Sequence, residues 1–298
     1  MRVAETLAGA ARELAAAGVE SHRVEAEWLV ASVLGLIDAP RSALFQDPDR
    51  ALSIAQARTL AALLLRRMAG EPVQYLVGRA WFRELSLDVG RGVLIPRPET
   101  EVLAGEVIAW LGARAGAGRD AAPRVFDLGT GSGCIALAVA AECPAARVLG
   151  SDLSLAALRY ARRNRTRVEG SHPGTAARVA WLAADGFAAF RDAPCFDAVV
   201  SNPPYVGEGE LPTLQREVRE HEPAAALVAG RGGLAILEAV VERAGVFLRP
   251  GGLLALEVGD GQADNVAARI AACPLFGPAR VTRDLAGTPR VVMAELRR

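Results

Sequence analysis

The chain has 298 residues, 51% of them apolar and 23% charged, which is enough for two domains and a sizeable core. Its basic side chains are all arginine, and the 34 of them balance 34 aspartates and glutamates; such neutrality argues against a protein that grips nucleic acid through a basic excess. Cys134, Cys143, Cys195 and Cys273 show neither CxxC spacing nor a disulfide framework, so they read as reduced thiols of a cytoplasmic protein with no metal site. Glu5 and Glu13 interrupt any secretion signal, and no apolar run is long enough to span a membrane.

Residues 1–75 read as helices only. Apolar residues recur at three- and four-residue spacing over Val3–Ala17, Val24–Leu36 and Leu52–Met68, with a short helix within 40–47. Gly18 stops the first helix, Ser21 is placed to cap the second, and Gly70 and Pro72 end the third. This stretch is expected to be a small bundle that docks a partner. Residues 76–97 change period: Trp81–Phe82 and Leu85–Val89 alternate, Gly90 and Gly92 allow a turn, and Val93–Ile95 returns as a strand, so a β-hairpin linker is expected. Pro98 then opens a helix to about Leu111, with Glu99 and Glu101 in the first turn where the dipole favours acids. A Gly- and Ala-rich linker covers roughly 112–122.

From Arg124 strands and helices alternate. Strands are expected at Arg124–Leu128, Arg147–Asp152, Val179–Ala184, Phe196–Ser201 and Leu253–Val258. Helices are expected at Gly133–Ala141, Leu155–Arg167, Gly233–Leu248 and Gln262–Ala272. That order predicts an α/β domain over 98–298, a mostly parallel sheet covered on both faces. Ala279–Asp284 and Arg290–Glu295 close it as an antiparallel hairpin at one edge.

Four strand ends carry the chemistry. Gly129-Thr130-Gly131-Ser132-Gly133 follows the first strand as G-x-G-x-G. Cys134 stands where a dinucleotide fingerprint needs glycine or alanine, which disfavours a nicotinamide enzyme. Asp152 ends the next strand and can take both ribose hydroxyls of a nucleoside, although a helix-capping role would also suit it. Asp185-Gly186 ends the third, where an adenine amino group would lie. Asn202-Pro203-Pro204-Tyr205 ends the fourth. Two prolines make a rigid elbow, because each ring fixes its own φ and restricts the residue before it. The elbow offers the Asn202 side-chain oxygen and the Pro203 carbonyl as paired acceptors beside an aromatic face, a fit for a planar –NH2 group. Cys134 reads as a small apolar helix residue, His221 as a surface residue, and His22 and His172 as loop residues.

Asp127–Gly133 followed by Ser201–Tyr205 resembles the class I (Rossmann-like) S-adenosylmethionine-dependent methyltransferases that modify planar nitrogens. Pro72–Tyr75, Leu94–Glu101 with its Pro-Arg-Pro-Glu-Thr-Glu run, His221–Pro223, Asp284–Gly287 and Arg290–Val292 narrow the resemblance to the HemK/PrmC family. That resemblance implies methylation of the N5 amide nitrogen of the Gly-Gly-Gln glutamine in peptide-chain release factors, which modulates translation termination. It implies S-adenosyl-L-methionine as cofactor, S-adenosyl-L-homocysteine as product, and an amino-terminal domain that contacts the release factor. Cofactor contacts are implied for Gly129, Thr130, Gly131, Ser132, Gly133, Asp152, Asp185, Gly186 and Asn202; glutamine contacts are implied for Asn202, Pro203, Pro204 and Tyr205. Members often carry an aromatic directly after the third-strand acid; here that place is Gly186, with Phe187 one later. The stretch after Tyr205 is also short. Transfer is expected to be direct and in line, with orientation contributing on the order of 7–11 kcal/mol and no base visible at the elbow. The alternatives are a methyltransferase of DNA or RNA exocyclic amines and a non-catalytic nucleotide-binding module.

Overall fold

The computed structural model describes residues 2–114, 122–230 and 232–297. In chain order the helices are α1 (Val3–Ala16), α2 (His22–Val33), α3 (Ile54–Met68), α4 (Val73–Val77), α5 (Pro98–Arg114), α6 (Cys134–Glu142), α7 (Leu155–Ser171), α8 (Arg216–His221), α9 (Ala235–Phe247) and α10 (Ala263–Ala272). The strands are β1 (Arg79–Phe82), β2 (Leu85–Asp88), β3 (Arg124–Leu128), β4 (Arg147–Asp152), β5 (Val179–Ala183), β6 (Phe196–Ser201), β7 (Leu248–Glu257), β8 (Arg280–Arg283) and β9 (Pro289–Glu295). The chain divides into two compact units, one of Met1–Ala80, Val89–Arg91 and Gln215–His221, the other of Trp81–Asp88, Gly92–Leu214 and Glu222–Arg298.

In the helical unit, Leu14, Leu29, Val30, Leu60 and Leu64 meet in one apolar core. α3 starts on a capping box, in which Ser53 accepts from the Gln56 N–H and Gln56 accepts from the Ser53 N–H. Ser21 stands at the N-cap position of α2 as expected, but its hydroxyl donates to the Glu25 carboxylate at 2.8 Å and not to a helix N–H group, and His22 is the first helical residue rather than a loop residue. Glu25 in turn pairs with the buried Arg67, which also pairs with Glu217 of α8 at 3.0 Å and donates to the Glu71 carbonyl at 3.4 Å. The periodicity gave no sign of α8, which is only six residues long. His221 also departs from the surface reading, because both ring nitrogens are buried without a hydrogen-bond partner among the described residues.

In the second unit a seven-stranded sheet runs in the order β5-β4-β3-β6-β7-β9-β8, parallel from β5 to β7 and antiparallel through β9 and β8. Side chains alternate between two cores, as period-two strands require. Val125, Ala198, Val200, Leu253, Ala255, Val291 and Met293 face α5 and α6. Phe126, Val199, Leu254, Leu256, Val292 and Ala294 face α9 and α10. The strand Val93–Ile95 is absent. The hairpin turns instead at Arg83, whose φ of 52° is left-handed and whose N–H donates to Glu101 at 3.0 Å. Its guanidinium is gripped by Glu142 at 2.7 Å. The Ile95 N–H goes to Glu222 rather than to a ladder. The linker expected over 112–122 begins later, since α5 continues to Arg114, and 115–121 lie outside the described residues.

Candidate active site

The strand order reverses between β3 and β6, which pair in register as Leu128↔Ser201. Crevices at such switch points take ligands at the carboxyl ends of the strands. Register brings Gly129 beside Asn202, and the neighbouring pairs Leu128↔Ser151 and Ser201↔Leu256 bring Asp152 and Glu257 alongside. Ser201 Oγ donates to the Leu128 carbonyl at 2.7 Å, so the buried ends of β3 and β6 are tied together directly.

The glycine loop is held from below. The Gly129 and Thr130 N–H groups both donate to the Ser151 carbonyl at 2.9 and 2.8 Å, and Thr130 Oγ1 donates to Asp127 at 2.6 Å. Gly129, Gly131 and Gly133 take φ values of 74°, 57° and 82°, a region open to glycine and strained for other residues. A Cβ at Gly129 would meet nothing, so that face is open to a ligand; at Gly133 it would come within 2.8 Å of the Trp181 ring. Asp152 accepts from the Gly131 N–H at 2.8 Å and the Ser154 N–H at 2.7 Å, one bond per oxygen, and each oxygen retains a second lone pair. Ser154, not Asp152, caps α7. Burial raises the Asp152 pKa and pushes Asp127 up to about 7. Asp127 Oδ1, Ser132 Oγ and Ser151 Oγ are buried without partners among the described residues. A polar nucleoside ligand fits this cradle, with open backbone above and unspent polar atoms around it.

The elbow is clamped from behind. Asn202 Nδ2 donates to Thr100 Oγ1 at 3.0 Å. Its Oδ1 therefore remains the acceptor. Gln262 Nε2 donates to the Tyr205 carbonyl at 2.9 Å, and a Cβ at Gly233 would stand 2.2 Å from that same oxygen. The Tyr205 hydroxyl lies 3.4 Å from Glu257 Oε1. Burial pushes the Tyr205 pKa up to about 12, so its proton stays on the phenol. Glu257 is 1% exposed, and burial pushes its carboxyl up to about 7.

The predicted site residues Gly129–Gly133, Asp152 and Asn202–Tyr205 thus gather at the carboxyl ends of the neighbouring strands β3, β4 and β6, and Asp185–Gly186 follow β5 on the far side of β4. Asp185 is exposed, and Gly186 takes a φ of 51°. Phe187 is buried in the core, stacked on Phe247 at 4.6 Å and tilted against Phe126. Cys134 is a buried helix residue whose thiol burial pushes up to about 12, so it is no nucleophile. Among the described residues no cluster of His, Cys, Asp and Glu could hold a metal ion.

Reasoning from sequence passed over Thr100, Asn164, Glu257 and Gln262. The sequence showed no base at the elbow, yet Glu257 places a carboxylate there; it is the last residue of β7, whose end aligns in register with β6. Asn164, wholly buried on α7, accepts from the Asp88 N–H at 2.6 Å and donates to the Asp88 and Ser132 carbonyls at 3.1 and 2.9 Å. It ties the glycine loop to β2. The only trace in the sequence is an asparagine within an arginine-rich helix, at a position whose neighbours gave no reason to bury it.

Residues 5–78 match the PrmC N-terminal domain family, and residues 116–220 match the methyltransferase small domain family. A release factor glutamine methyltransferase of Gloeobacter violaceus is 42% identical over 286 residues, covering 95% of this chain and 94% of that protein. One of Koribacter versatilis is 36% identical over 293 residues, 98% of each. Among solved structures, the hMettl16 catalytic domain in complex with MAT2A 3'UTR hairpin 1 superposes with a TM-score of 0.52 at 15% identity, over 84% of each chain, a likeness of fold alone. No helix among the described residues is long and apolar enough to cross a membrane. Identity of this order along nearly the whole length places the chain in the release factor glutamine methyltransferase family.

Proposed function

We propose that this protein methylates the N5 amide nitrogen of the glutamine in the Gly-Gly-Gln motif of peptide-chain release factors. The observation that carries this reading is the Asn202 carboxamide, fixed by Thr100 with its oxygen left to accept, in register beside an open glycine loop. S-adenosyl-L-methionine, when bound, supplies an electrophilic methyl group on a sulfonium. Gly129–Gly133 and Asp152 would hold it, with Asp185 and Gly186 at the adenine end.

An amide nitrogen is a poor nucleophile because its lone pair is delocalised into the carbonyl. Asn202 Oδ1 and the Pro203 carbonyl accept its two hydrogens. Pro203 and Pro204 keep those acceptors from swinging, and the Tyr205 ring backs the amide plane. Both acceptors strengthen as positive charge develops on nitrogen, so they favour the transition state over the ground state. The methylated cationic amide is strongly acidic and loses its proton without help.

Residues 1–75 serve as the docking domain for the release factor, 76–97 as linker and 98–298 as the methyltransferase domain. The reaction belongs to the cytoplasm, where release factors act, and calls for no direct contact with nucleic acid. Mass spectrometry of a release factor co-expressed with this protein checks the reading: one extra methyl on the Gly-Gly-Gln peptide is expected. Label transferred to DNA or RNA and not to release factor would overturn it in favour of an exocyclic-amine substrate.

A further inference from the structure

We infer that Gln262 is a positioning residue for methyl transfer, a bracket that seats the Tyr205 ring behind the substrate amide. This rests on the functional reading above. The two proline rings restrain Asn202, Pro203 and Pro204, because proline limits its own φ and the residue before it. Tyr205 follows the second proline and gains nothing from either ring. A ring that backs an amide plane needs close placement, since an error of about 1 Å can cost about 100-fold in rate. The Tyr205 hydroxyl, 3.4 Å from Glu257 Oε1, holds the ring tip only loosely. The other end of the residue needs a firmer restraint.

Gln262 supplies it with both ends of one carboxamide. Nε2 donates to the Tyr205 carbonyl at 2.9 Å, and Oε1 accepts from the Gly259 N–H at 2.9 Å. The Gln262 N–H donates in turn to the Gly259 carbonyl at 3.2 Å, which closes the turn between β7 and α10 on itself. The polarity of this bracket cannot invert. A peptide N–H only donates and a carbonyl only accepts, so a rotated amide would set donor against donor and acceptor against acceptor. Two glycines bring backbone flush against the pair. A Cβ at Gly259 would lie 3.0 Å from Tyr205 Cδ2 and 3.0 Å from Gln262 Oε1, and one at Gly233 would lie 2.8 Å from Gln262 Nε2. The end of β7, the segment before α9 and the start of α10 therefore leave Tyr205 a single seat. Gln262 acts through Tyr205 and touches none of the reacting atoms.

Gln262→Glu keeps the shape and the acceptor for Gly259. Ionised, it turns an oxygen on the Tyr205 carbonyl; protonated, its O–H donates to that carbonyl and restores both bonds. At about pH 8.5 its kcat on release factor should stand about 10–100-fold below wild type, while affinity for S-adenosylmethionine changes less than about twofold. An oxygen facing a carbonyl raises the pKa of the new carboxyl, so the ratio of variant to wild-type kcat should climb about fivefold or more on going to about pH 6. The ratio removes titrations common to both proteins. A residue that only supported the fold would lower kcat and cofactor affinity together and show no such recovery. The chain has three tyrosines, Tyr75, Tyr160 and Tyr205, so ring-13C-tyrosine labelling, with Tyr205→Phe to assign the signal, reads the seat without turnover. The Tyr205 signal should shift or broaden in Gln262→Ala, and those of Tyr75 and Tyr160 should stay. Wild-type kcat in Gln262→Glu at the higher pH, a ratio flat with pH, or an unmoved Tyr205 signal would each overturn the bracket. A Tyr205 signal that moves in a protein that leaves release factor unmethylated would instead sink the functional reading and keep the bracket.

Discussion

Asn164→Ala should damage both stability and cofactor binding, although the residue touches neither ligand in the reading above. The side chain is wholly buried and makes three hydrogen bonds, two to Asp88 and one to the Ser132 carbonyl inside the glycine loop. At about 1 kcal/mol net for each bond, plus the added cost of leaving the buried Ser132 carbonyl unpaired, the loss is about 3–5 kcal/mol. Alanine's better helix propensity returns only about 0.5 kcal/mol, so the hydrogen bonds decide the sign. For a domain of this size that corresponds to a melting temperature lower by roughly 10 °C. The loop that Ser132 anchors would also lose definition, and affinity for S-adenosylmethionine should weaken by about tenfold. Asn164→Asp is the sharper variant: it keeps the acceptor for the Asp88 N–H, loses both donors, and sets a carboxylate against two carbonyl oxygens. It should destabilise at least as much. Thermal unfolding with and without cofactor, together with calorimetric titration, reads both effects. A loss under about 1 kcal/mol with unchanged affinity would refute the account of Asn164 as the tie that shapes the loop.

Asn202→Ala should leave S-adenosylmethionine affinity near wild type and lower kcat by about 10²–10³-fold, the range for removing one preorganised transition-state partner; comparable single-turnover rates would contradict the role given to its oxygen. Gly133→Ala places a Cβ 2.8 Å from Trp181 at a φ of 82°, so it should cost about 2–4 kcal/mol from strain and overpacking together. Adding Trp181→Leu should recover part of that in a urea titration, because only the clash term is relieved. Asp127 has its folded pKa raised to about 7 by burial, above an ordinary carboxyl value. The folded state therefore binds the proton more tightly, so this residue's contribution to stability is present at low pH and is lost as pH rises toward and through about 7. Asp127→Asn should flatten that slope in denaturant titrations run from pH 4 to pH 8. In the helical unit, Arg67→Ala leaves Glu25 buried without its partner and should cost about 3 kcal/mol, at the lower end for a buried pair because Glu217 is one-third exposed. Hydrogen exchange should report faster opening of α8 in that variant.

Much of the fold was legible because its signals are local. The buried strands β3, β6 and β7 and the helices between them announce themselves by runs and periods, and the glycines of 129–133 mark a loop that only positive φ can form. Helix α8 and the missing strand at Val93–Ile95 were not legible, and the reasons differ. Six residues of α8 hold too little periodicity to read, and its helical state depends on a distant arginine, Arg67. Val93–Ile95 is a short apolar run of the kind a strand carries, but the hairpin had already turned at Arg83, where Glu101 and Glu142 stabilise a left-handed residue. Local pattern cannot foresee a turn enforced by side chains 18 and 59 residues away.

The same division holds at the site. The linear order of residues was sufficient for the glycine loop, Asp152 and the diproline elbow, because each is a short segment whose chemistry follows from consecutive residue types. Thr100, Asn164, Glu257 and Gln262 became visible only in three dimensions, since each acts through side-chain hydrogen bonds to a partner far along the chain. Their residue types carry no signature by themselves. What the tertiary structure decided was orientation: which end of an amide points outward, which carboxylate is buried, and which hydroxyl donates. Those choices depend on register and burial, which arise only when strands from separate parts of the chain lie side by side.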